Sequence, residues 1–158
     1  MTGMSRIEIT PADLDDPDFI TLVGRHVEFC DATAPAESCH RLEISALRSP
    51  DLTVWQARMG GLLCGMAALK ALSNHAAEIK SMHVLHEARS SGIARALLET
   101  LIKEARVRGY ESLALETGSH PDFTPARALY GAFGFAEIAP FADYKPDPHS
   151  IFMGLSLR

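Results

Sequence analysis

The chain has 158 residues, of which 47% are hydrophobic and 22% are charged, and its formal net charge is -5 at pH 7. This length and balance are typical of a globular domain with its own core, so we expect residues 1–158 to form a single domain. The acidic charge argues against a protein that binds duplex nucleic acid through a basic face. The longest apolar run, Leu62 to Leu69, is too short to cross a bilayer, so no membrane association is expected.

The cysteine pattern favours a reduced protein without a metal. Cys30, Cys39 and Cys64 are odd in number and include no CxxC pair, which is typical of the cytoplasm. The N-terminal residues lack the apolar core of a secretory signal, in agreement with that location. His26 and Cys30 are four residues apart on an expected helix, but no third ligand is evident, so no metal site is predicted.

Strand signals dominate the first half of the chain, and two helices interrupt them. Apolar residues recur at helical spacing from Phe19 to Val27, and a second helix is predicted from Ala36 to Leu47. Gly60-Gly61 predicts a hairpin between two strands. The predicted strands of this half are residues 6–10, 51–58, 62–70 and 78–84.

The second half alternates helix and strand. A helix is predicted from about Gly92 to Arg108, with Gly109 just beyond its end. Thr124 and Pro125 are typical of the start of another helix, which Gly134 ends. The predicted strands here are residues 112–117, 135–138 and 150–157. The order β-α-α-β-β-β-α-β-α-β-β predicts an α/β protein with a mixed sheet.

The turn before the long helix is a candidate anion site. In Arg89-Ser90-Ser91-Gly92-Ile93-Ala94, successive backbone N–H groups lie at the positive end of the helix dipole, and Gly92 allows close approach. Arg89 and Arg95 add positive charge. A single glycine is weak evidence, and neither the P-loop nor the GxGxxG pattern is present, so the turn alone is equally consistent with a structural role.

Two motifs together resemble a known family. Residues 89–94 resemble the R/Q-x-x-G-x-G/A motif of the GNAT N-acetyltransferase superfamily, with Ala94 in the last position. Ala128-Leu129-Tyr130-Gly131-Ala132-Phe133-Gly134-Phe135 resembles the family's A-x-x-L-Y-x-x-x-G-F segment, and a helix and a strand separate the two motifs as in the family. The order of elements is also similar. A narrower resemblance, to a bacterial YsnE-like subgroup, rests on segments beginning at Pro35, Glu78, Leu115 and Pro140.

The resemblance implies a GNAT fold, acetyl-CoA as donor and a pyrophosphate bound by the 89–94 turn. It places pantetheine along the preceding strand, with the Met82 N–H aimed at the thioester oxygen. Many members have an asparagine where this chain has Phe123, which leaves one cofactor contact open. The implied cofactor contacts are Met82, His83, Val84, Arg89, Ser90, Ser91, Gly92, Ile93, Ala94, Arg95, Arg127 and Phe133.

For catalysis the resemblance implies that Tyr130 is the general acid that protonates the leaving thiolate. From helical spacing alone, a tyrosine beside Leu129 and Phe133 is more often a core residue, and the match to the motif favours the catalytic role. Glu78 is the candidate base, although a surface ion pair with Lys80 explains it as well, and Glu116 is its rival. Further candidates for the acceptor side are Glu28, Glu37, His40, Asp143 and Tyr144.

The sequence therefore predicts an N-acetyltransferase in which an amine attacks acetyl-CoA directly in a ternary complex. The alternative is a non-catalytic CoA-binding or regulatory module of the same fold. The acceptor is a small-molecule or protein amine, and the net acidity favours a cationic or neutral one. The segment from Phe141 to His149 is either a specificity loop or a surface loop that contacts a second copy in a homodimer.

Overall fold

The computed structural model describes residues 6–38 and 42–158. Its elements follow the order predicted from the sequence, and three short 3-10 turns lie between them. The strands are β1 (Ile7–Pro11), β2 (Leu52–Met59), β3 (Leu62–Ala71), β4 (Ala76–Val84), β5 (Ser112–Gly118), β6 (Ala136–Glu137) and β7 (Ser150–Ser156). The helices are α1 (Pro17–Thr33), α2 (Ile44–Leu47), α3 (Ile93–Val107) and α4 (Thr124–Ala132).

The strands form one seven-stranded sheet in the order β1-β2-β3-β4-β5-β7-β6. Neighbouring strands run antiparallel, with the exception of β4 and β5, which are parallel. The mixed sheet is thus confirmed. The hairpin between β2 and β3 is confirmed too, because Gly60 and Gly61 both adopt positive φ angles, of 60° and 82°.

Helices cover both faces of the sheet. On one face, α3 and α4 enclose the larger core, in which Leu97, Leu98 and Leu101 of α3 are fully buried. Each contributes roughly 2 kcal/mol relative to an exposed side chain. On the other face, α1 and α2 pack Phe19 and Leu47 against the strands. The two faces of β4 and β5 are therefore covered by different helices, α3 and α4 on one face and α1 and α2 on the other.

The second helix is shorter than the sequence predicts. Only Ala36–Ser38 forms a 3-10 turn and only Ile44–Leu47 forms α2, while residues 39–41 lie outside the described residues. Glu43 has extended backbone angles, which prevents one continuous helix from Ala36 to Leu47. Leu42, Ile44 and Leu47 still pack against the core of this face. The apolar spacing therefore identified the buried residues correctly, although the backbone between them is not one helix.

Two boundaries near the C-terminus also differ from the prediction. Phe123, not Thr124, is the N-cap of α4, and the Thr124 hydroxyl accepts a bond from Arg127 instead of capping the helix. The strand predicted at 135–138 is reduced to Ala136–Glu137. Within the described parts of the chain, no helix is long and apolar enough to span a membrane.

Candidate active site

A cleft opens where the two parallel strands separate. The last residues that pair between them are Ile79 of β4 and Leu115 of β5. Beyond that point β4 pairs only with β3, and β5 pairs only with β7, so their facing edges are available to an extended ligand. The cleft is lined by residues that include His26, Cys30, Glu78, Lys80, Ser81 and Glu116.

A bulge in β4 shapes one wall of this cleft. Ser81 and Met82 together oppose Ala67, because the pairing shifts between Met66 and Ala68 of β3. Ser81 has a φ angle of 57°, and its buried hydroxyl lacks a hydrogen-bond partner among the described residues. A bulge leaves one residue outside the ladder, and here that residue lies at the mouth of the cleft.

The turn from β4 into α3 presents a row of backbone donors. Ser90 and Gly92 have φ angles of 66° and 86°, so left-handed residues alternate with others as in an anion-binding nest. The first amide of α3 that bonds back is that of Ala96, which donates to the Gly92 carbonyl. Within residues 6–38 and 42–158, the N–H groups of residues 90–95 have no acceptor. Six free donors at a helix N-terminus form a site suited to phosphate.

Both arginines of this turn lie against aromatic rings. The Arg89 guanidinium carbon is 5.6 Å from the ring centre of Phe29, and that of Arg95 is 5.1 Å from the ring centre of Phe133. Both arginines are exposed, so their charges remain available at the rim of the nest. These contacts hold each guanidinium near the turn by cation–π attraction.

Tyr130 of α4 is buried in the larger core, among the residues that α3 and α4 enclose against the sheet. Its side chain is 5% exposed, and its ring packs edge-on against Phe135 at 5.8 Å. Burial raises the pKa of the Tyr130 hydroxyl, and the charge of Glu116 raises it further. The hydroxyl therefore stays protonated at neutral pH and can act as a proton donor.

Glu78 is held in a closed set of polar contacts. Its carboxylate accepts a 2.6 Å hydrogen bond from the Tyr144 hydroxyl and lies 3.4 Å from the Lys80 ammonium. Lys80 also donates to the Tyr144 oxygen at 2.8 Å. The side chains of Glu78 and Lys80 are only 3% and 10% exposed. Glu78 is therefore a buried partner of Lys80 and Tyr144 rather than an exposed charge at the edge of the sheet.

Glu116 lies on β5 just beyond the point of separation and is half-buried. Burial raises the pKa of its carboxyl group above the ordinary value, and the nearby Lys80 charge opposes that rise. A carboxylate with a raised pKa is a better proton acceptor near neutral pH. Three groups are therefore candidates for proton transfer: the Tyr130 hydroxyl and the carboxylates of Glu78 and Glu116, which lie on neighbouring strands.

Comparison with known proteins identifies this arrangement. The sequence model of the acetyltransferase (GNAT) family matches residues 18–135. This chain belongs to the GNAT acetyltransferase family. It is 45% identical to the uncharacterized N-acetyltransferase YsnE of Bacillus subtilis over 141 residues, which are 89% of this chain and 93% of that protein. Both the family and the subgroup predicted from the sequence are confirmed, and the chain is an N-acetyltransferase.

Solved structures share the fold. A putative acyl-CoA N-acyltransferase from Klebsiella pneumoniae superimposes with a TM-score of 0.77 and 27% identity, covering 96% of this chain and 98% of its own. A putative acetyltransferase from Salmonella typhimurium, solved with its cofactor acetyl-CoA, gives a TM-score of 0.71 at 21% identity, with coverage of 96% and 94%. The GNAT fold predicted for this chain is therefore confirmed.

The site of this GNAT protein fits acetyl-CoA. The nest at residues 90–95 supplies free donors for a pyrophosphate, and the separated edges of β4 and β5 leave backbone groups for an amide-containing chain. Met82, His83 and Val84 occupy the β4 edge that borders the opening. When bound, acetyl-CoA supplies the activated acetyl group as a thioester. In the described part of the chain, no cluster of three or more side chains is suited to a metal.

We expect Gly92→Ala to weaken CoA binding about tenfold. The φ angle of 86° strains any residue with a Cβ by roughly 1–2 kcal/mol, and relaxing that strain would turn the nest away from the phosphates. The added Cβ would meet only the Ile7 side chain, at 3.8 Å, so no clash complicates the result. Titration calorimetry with CoA measures the effect.

Gly109→Ala is the matched control for this variant. Gly109 has nearly the same φ angle, 84°, and a Cβ there meets open space at the other end of α3. Both variants should lose similar stability, but only Gly92→Ala should lose affinity. Equal CoA affinity in the two variants would contradict the assignment of the nest.

The structure adds His83 to His26 and Cys30, a pair that the sequence analysis considered only as metal ligands. His26 Nδ1 of α1 lies 3.1 Å from His83 Nδ1 of β4, and His26 Nε2 lies 3.7 Å from Cys30 Sγ. Burial lowers the pKa of His26 to about 3, with a further contribution from His83. Burial and the charges of Arg89 and Arg25 lower the pKa of His83 to about 4. Both rings are therefore neutral at pH 7.

The neutral histidines make folding stability dependent on pH. Their pKa values in the folded state lie below the ordinary 6.5, so the unfolded chain binds protons that the folded chain does not. The stabilisation that the two neutral histidines contribute is present above about pH 6.5. It is lost as the pH falls from there towards their folded pKa values of about 4 and 3. Between about pH 6.5 and 4.5 we expect a loss of roughly 2 kcal/mol per histidine, seen as a lower urea midpoint.

A double variant isolates this effect. His26→Gln with His83→Gln removes both titrating groups, so its unfolding free energy should change much less over the same pH range than that of the wild type. An equal change in both proteins would show that other groups cause the acid sensitivity.

Several predicted site residues lie elsewhere. The Arg127 guanidinium donates to the Gly118 and His120 carbonyls, at 2.6 Å and 3.2 Å, and so ties down the end of β5. The predicted acceptor-side residue His40 lies outside the described residues. Among the remaining predicted acceptor residues, those with exposed side chains outside the cleft lining are Glu28, Glu37 and Asp143.

Phe123, in the position of the family's asparagine, joins an aromatic contact across the cleft. Its ring packs edge-on against Phe29 of α1 at 5.1 Å, and Phe29 packs against His83 at 5.9 Å. A Cβ on Gly118 would lie 2.5 Å from the Phe123 ring, so glycine is required there. Phe123 thus supplies ring packing, where the asparagine would supply a polar contact.

Proposed function

We propose that the protein binds acetyl-CoA between β4 and β5 and transfers the acetyl group directly to a primary amine that enters from the α1 face. The observation that carries this proposal is the combination of a nest of free N–H groups with two strands that separate, in a protein that also holds a buried, protonated tyrosine affected by the charge of Glu116. The nest and the separated strands hold the acetyl-CoA donor, and Tyr130 acts where the thioester bond breaks.

On the donor side, the proposed contacts are backbone groups and two arginines. The N–H groups of residues 90–95 hold the pyrophosphate, with Arg89 and Arg95 at the rim. The backbone of residues 82–84 pairs with the pantetheine amides. The Met82 N–H, next to the bulge at Ser81, points at the thioester oxygen and stabilises its negative charge, which is worth roughly 3 kcal/mol. Phe133 lies at the same end, beneath Arg95.

Tyr130 is the proposed general acid. As the amine attacks and the carbon–sulfur bond breaks, its hydroxyl gives a proton to the leaving thiolate. The raised pKa keeps the hydroxyl protonated until that moment. The charge of Glu116 acts on the Tyr130 hydroxyl. We propose that the proton that Glu116 takes up returns through water to the phenolate oxygen.

The contacts favour Glu116 over Glu78 as the group that takes a proton from the attacking nitrogen. Glu78 already accepts from Tyr144 and pairs with Lys80, so its carboxylate is engaged by partners within the protein. Glu116 lines the cleft with a raised pKa. We assign Glu78 to holding Lys80 and Tyr144 in place on the acceptor side.

The acceptor proposed for this cleft is a small amine that is cationic or neutral. Glu78 and Glu116 border the cleft with one counter-charge, Lys80, so the excess is negative. Tyr144 places the loop after β6 at this end, through its bond to Glu78. Glu28, Glu37 and Asp143 are proposed for the outer part of the acceptor path. A cytoplasmic location is proposed as well, in agreement with the reduced cysteines.

Thiol release from acetyl-CoA tests the proposal. The assay uses a panel of tyramine, putrescine, L-lysine and a peptide with a free N-terminus, with CoA binding measured in parallel. Turnover with any amine supports the enzyme. Tight CoA binding without turnover on an extended panel would favour the alternative, a non-catalytic CoA-binding module. The retained Tyr130 and the raised pKa of Glu116 favour catalysis.

A further inference from the structure

The buried histidine pair connects the acceptor side of the cleft to the end of β4. His26 and Cys30 line the cleft, and the His26 Nε2 atom lies 3.7 Å from the Cys30 sulfur. The other ring nitrogen of His26 lies 3.1 Å from Nδ1 of His83, which follows Met82 on β4. The mechanism above uses none of these three side chains.

A single proton must lie between the two rings. Two Nδ1 atoms at 3.1 Å bond only if one carries hydrogen and the other accepts it. The rings meet edge-on, at 70° and 5.0 Å between centres. In one tautomer His26 donates from Nδ1 and its Nε2 is free to accept; in the other the bond is reversed. Only the first tautomer can take a proton from the cleft, and its path runs from His26 Nε2 through the shared bond to His83.

The charges around the pair disfavour a stored proton. Arg89 and Arg25 face His83, and Arg25 is itself held by Glu87 through two bonds of 3.0 Å and 3.1 Å. Phe29 covers the ring of His83, while Cys30 faces His26. The other ionisable groups of the cleft are Glu78, Lys80, Glu116 and His149. An imidazolium between arginines is short-lived, which suits transfer rather than storage.

We propose that His26 and His83 form a proton relay that removes the first proton from the acceptor ammonium. The ammonium gives its proton to His26 Nε2, directly or through a water molecule. His26 passes its Nδ1 proton to Nδ1 of His83. The His83 residue is 9% exposed, and it releases its Nε2 proton to solvent. After the acetylated product leaves, the hops run in reverse: a solvent proton enters at His83 Nε2, and the Nε2 proton of His26 leaves to water in the open cleft, which restores the starting tautomers.

The relay completes the proton balance of the proposed function, on which it rests. A protonated amine, RNH3+, loses two protons as it becomes an amide. One reaches the thiolate through Glu116 and Tyr130, and the other must leave the site. The His26–His83 path gives that second proton an exit, so that Glu116 is not required to take up both.

The test compares His26→Gln, His83→Gln and the double variant with wild type over about pH 6 to 10, using the amine of the panel that is acetylated fastest. Glutamine keeps a polar side chain but cannot relay a proton. We expect kcat/KM to fall at least about tenfold near pH 7 and to recover as the pH approaches the pKa of the free amine. The double variant should lose no more than either single variant, because both break the same path.

His75→Gln is the matched control. His75 is exposed in the turn before β4, and this variant should keep wild-type rates. CoA affinity and thermal unfolding, measured on every variant, separate a relay from a folding defect. Losses that are equal at all pH values, or absent, in an active wild-type background would overturn the relay and leave the proposed function standing. A wild type that acetylates no amine while binding CoA would instead overturn the proposed function, and the relay with it.

Discussion

Replacing Tyr130 with phenylalanine is expected to lower kcat about 1,000-fold and to leave CoA affinity unchanged. General acid catalysis typically contributes 10²–10⁴-fold, and a thiolate that leaves without a proton is the step that this hydroxyl assists. The ring, its packing on Phe135 and its place in the core remain, so the fold should not change. Single-turnover rates and calorimetric CoA affinity are the measurements.

Tyr110→Phe is the control for this variant. Tyr110 is half-buried against the same core but lies at the far end of α3, so it should retain full activity. Since the pKa of Tyr130 is raised, its loss should remove activity across the whole accessible pH range rather than at one limb of the profile. Unchanged turnover in Tyr130→Phe would remove the tyrosine from the mechanism.

Local patterns were sufficient to predict most of the fold. The continuous apolar run of β3, the two glycines before it and the apolar stripe of α3 are all signals within a few residues of one another in the sequence. The turn at Gly92 was visible because only glycine adopts its φ angle without strain. The prediction of one continuous second helix was wrong. Its apolar residues are buried, as their spacing indicated, but Glu43 has extended backbone angles that interrupt the helix.

The polar contacts of the site could not be predicted in this way. Glu78 and Tyr144 are 66 residues apart, and His26 and His83 are 57 residues apart. Their pairing depends on which face of the sheet each strand residue occupies and on the angle at which α1 crosses it. Sequence spacing suggested Glu78–Lys80 as a surface pair, whereas the loop after β6 encloses it.

Burial is also what separates the two carboxylates chemically. In the sequence Glu78 and Glu116 are equivalent candidates on neighbouring strands. In the structure one is held by a hydroxyl and an ammonium, and the other is half-buried with a pKa that burial raises. The environment therefore assigns different tasks to the same side chain.

Glu116→Gln should consequently lower kcat/KM about 100-fold, and Glu78→Gln less than about tenfold. An amide in place of the Glu116 carboxylate cannot take a proton, whereas an amide at position 78 still accepts from Tyr144. The carboxyl group of Glu116 is active when ionised, so wild-type activity falls as the pH drops through its raised pKa, and that acidic limb should disappear in Glu116→Gln. The loss of kcat/KM in Glu116→Gln should persist at high pH, whereas the loss expected in His26→Gln should recover there.

Glu137→Gln, which changes an exposed carboxylate of β6, supplies the baseline for both variants. Because Glu78→Gln also breaks the ion pair with Lys80, its stability must be measured with its rate. If Glu78→Gln lost the acidic limb and Glu116→Gln kept it, the base would be Glu78, and Tyr144 would have to leave its carboxylate whenever the amine binds. That outcome would make the loop after β6 a moving part of the catalytic cycle, whereas a base at Glu116 lets it stay in place throughout.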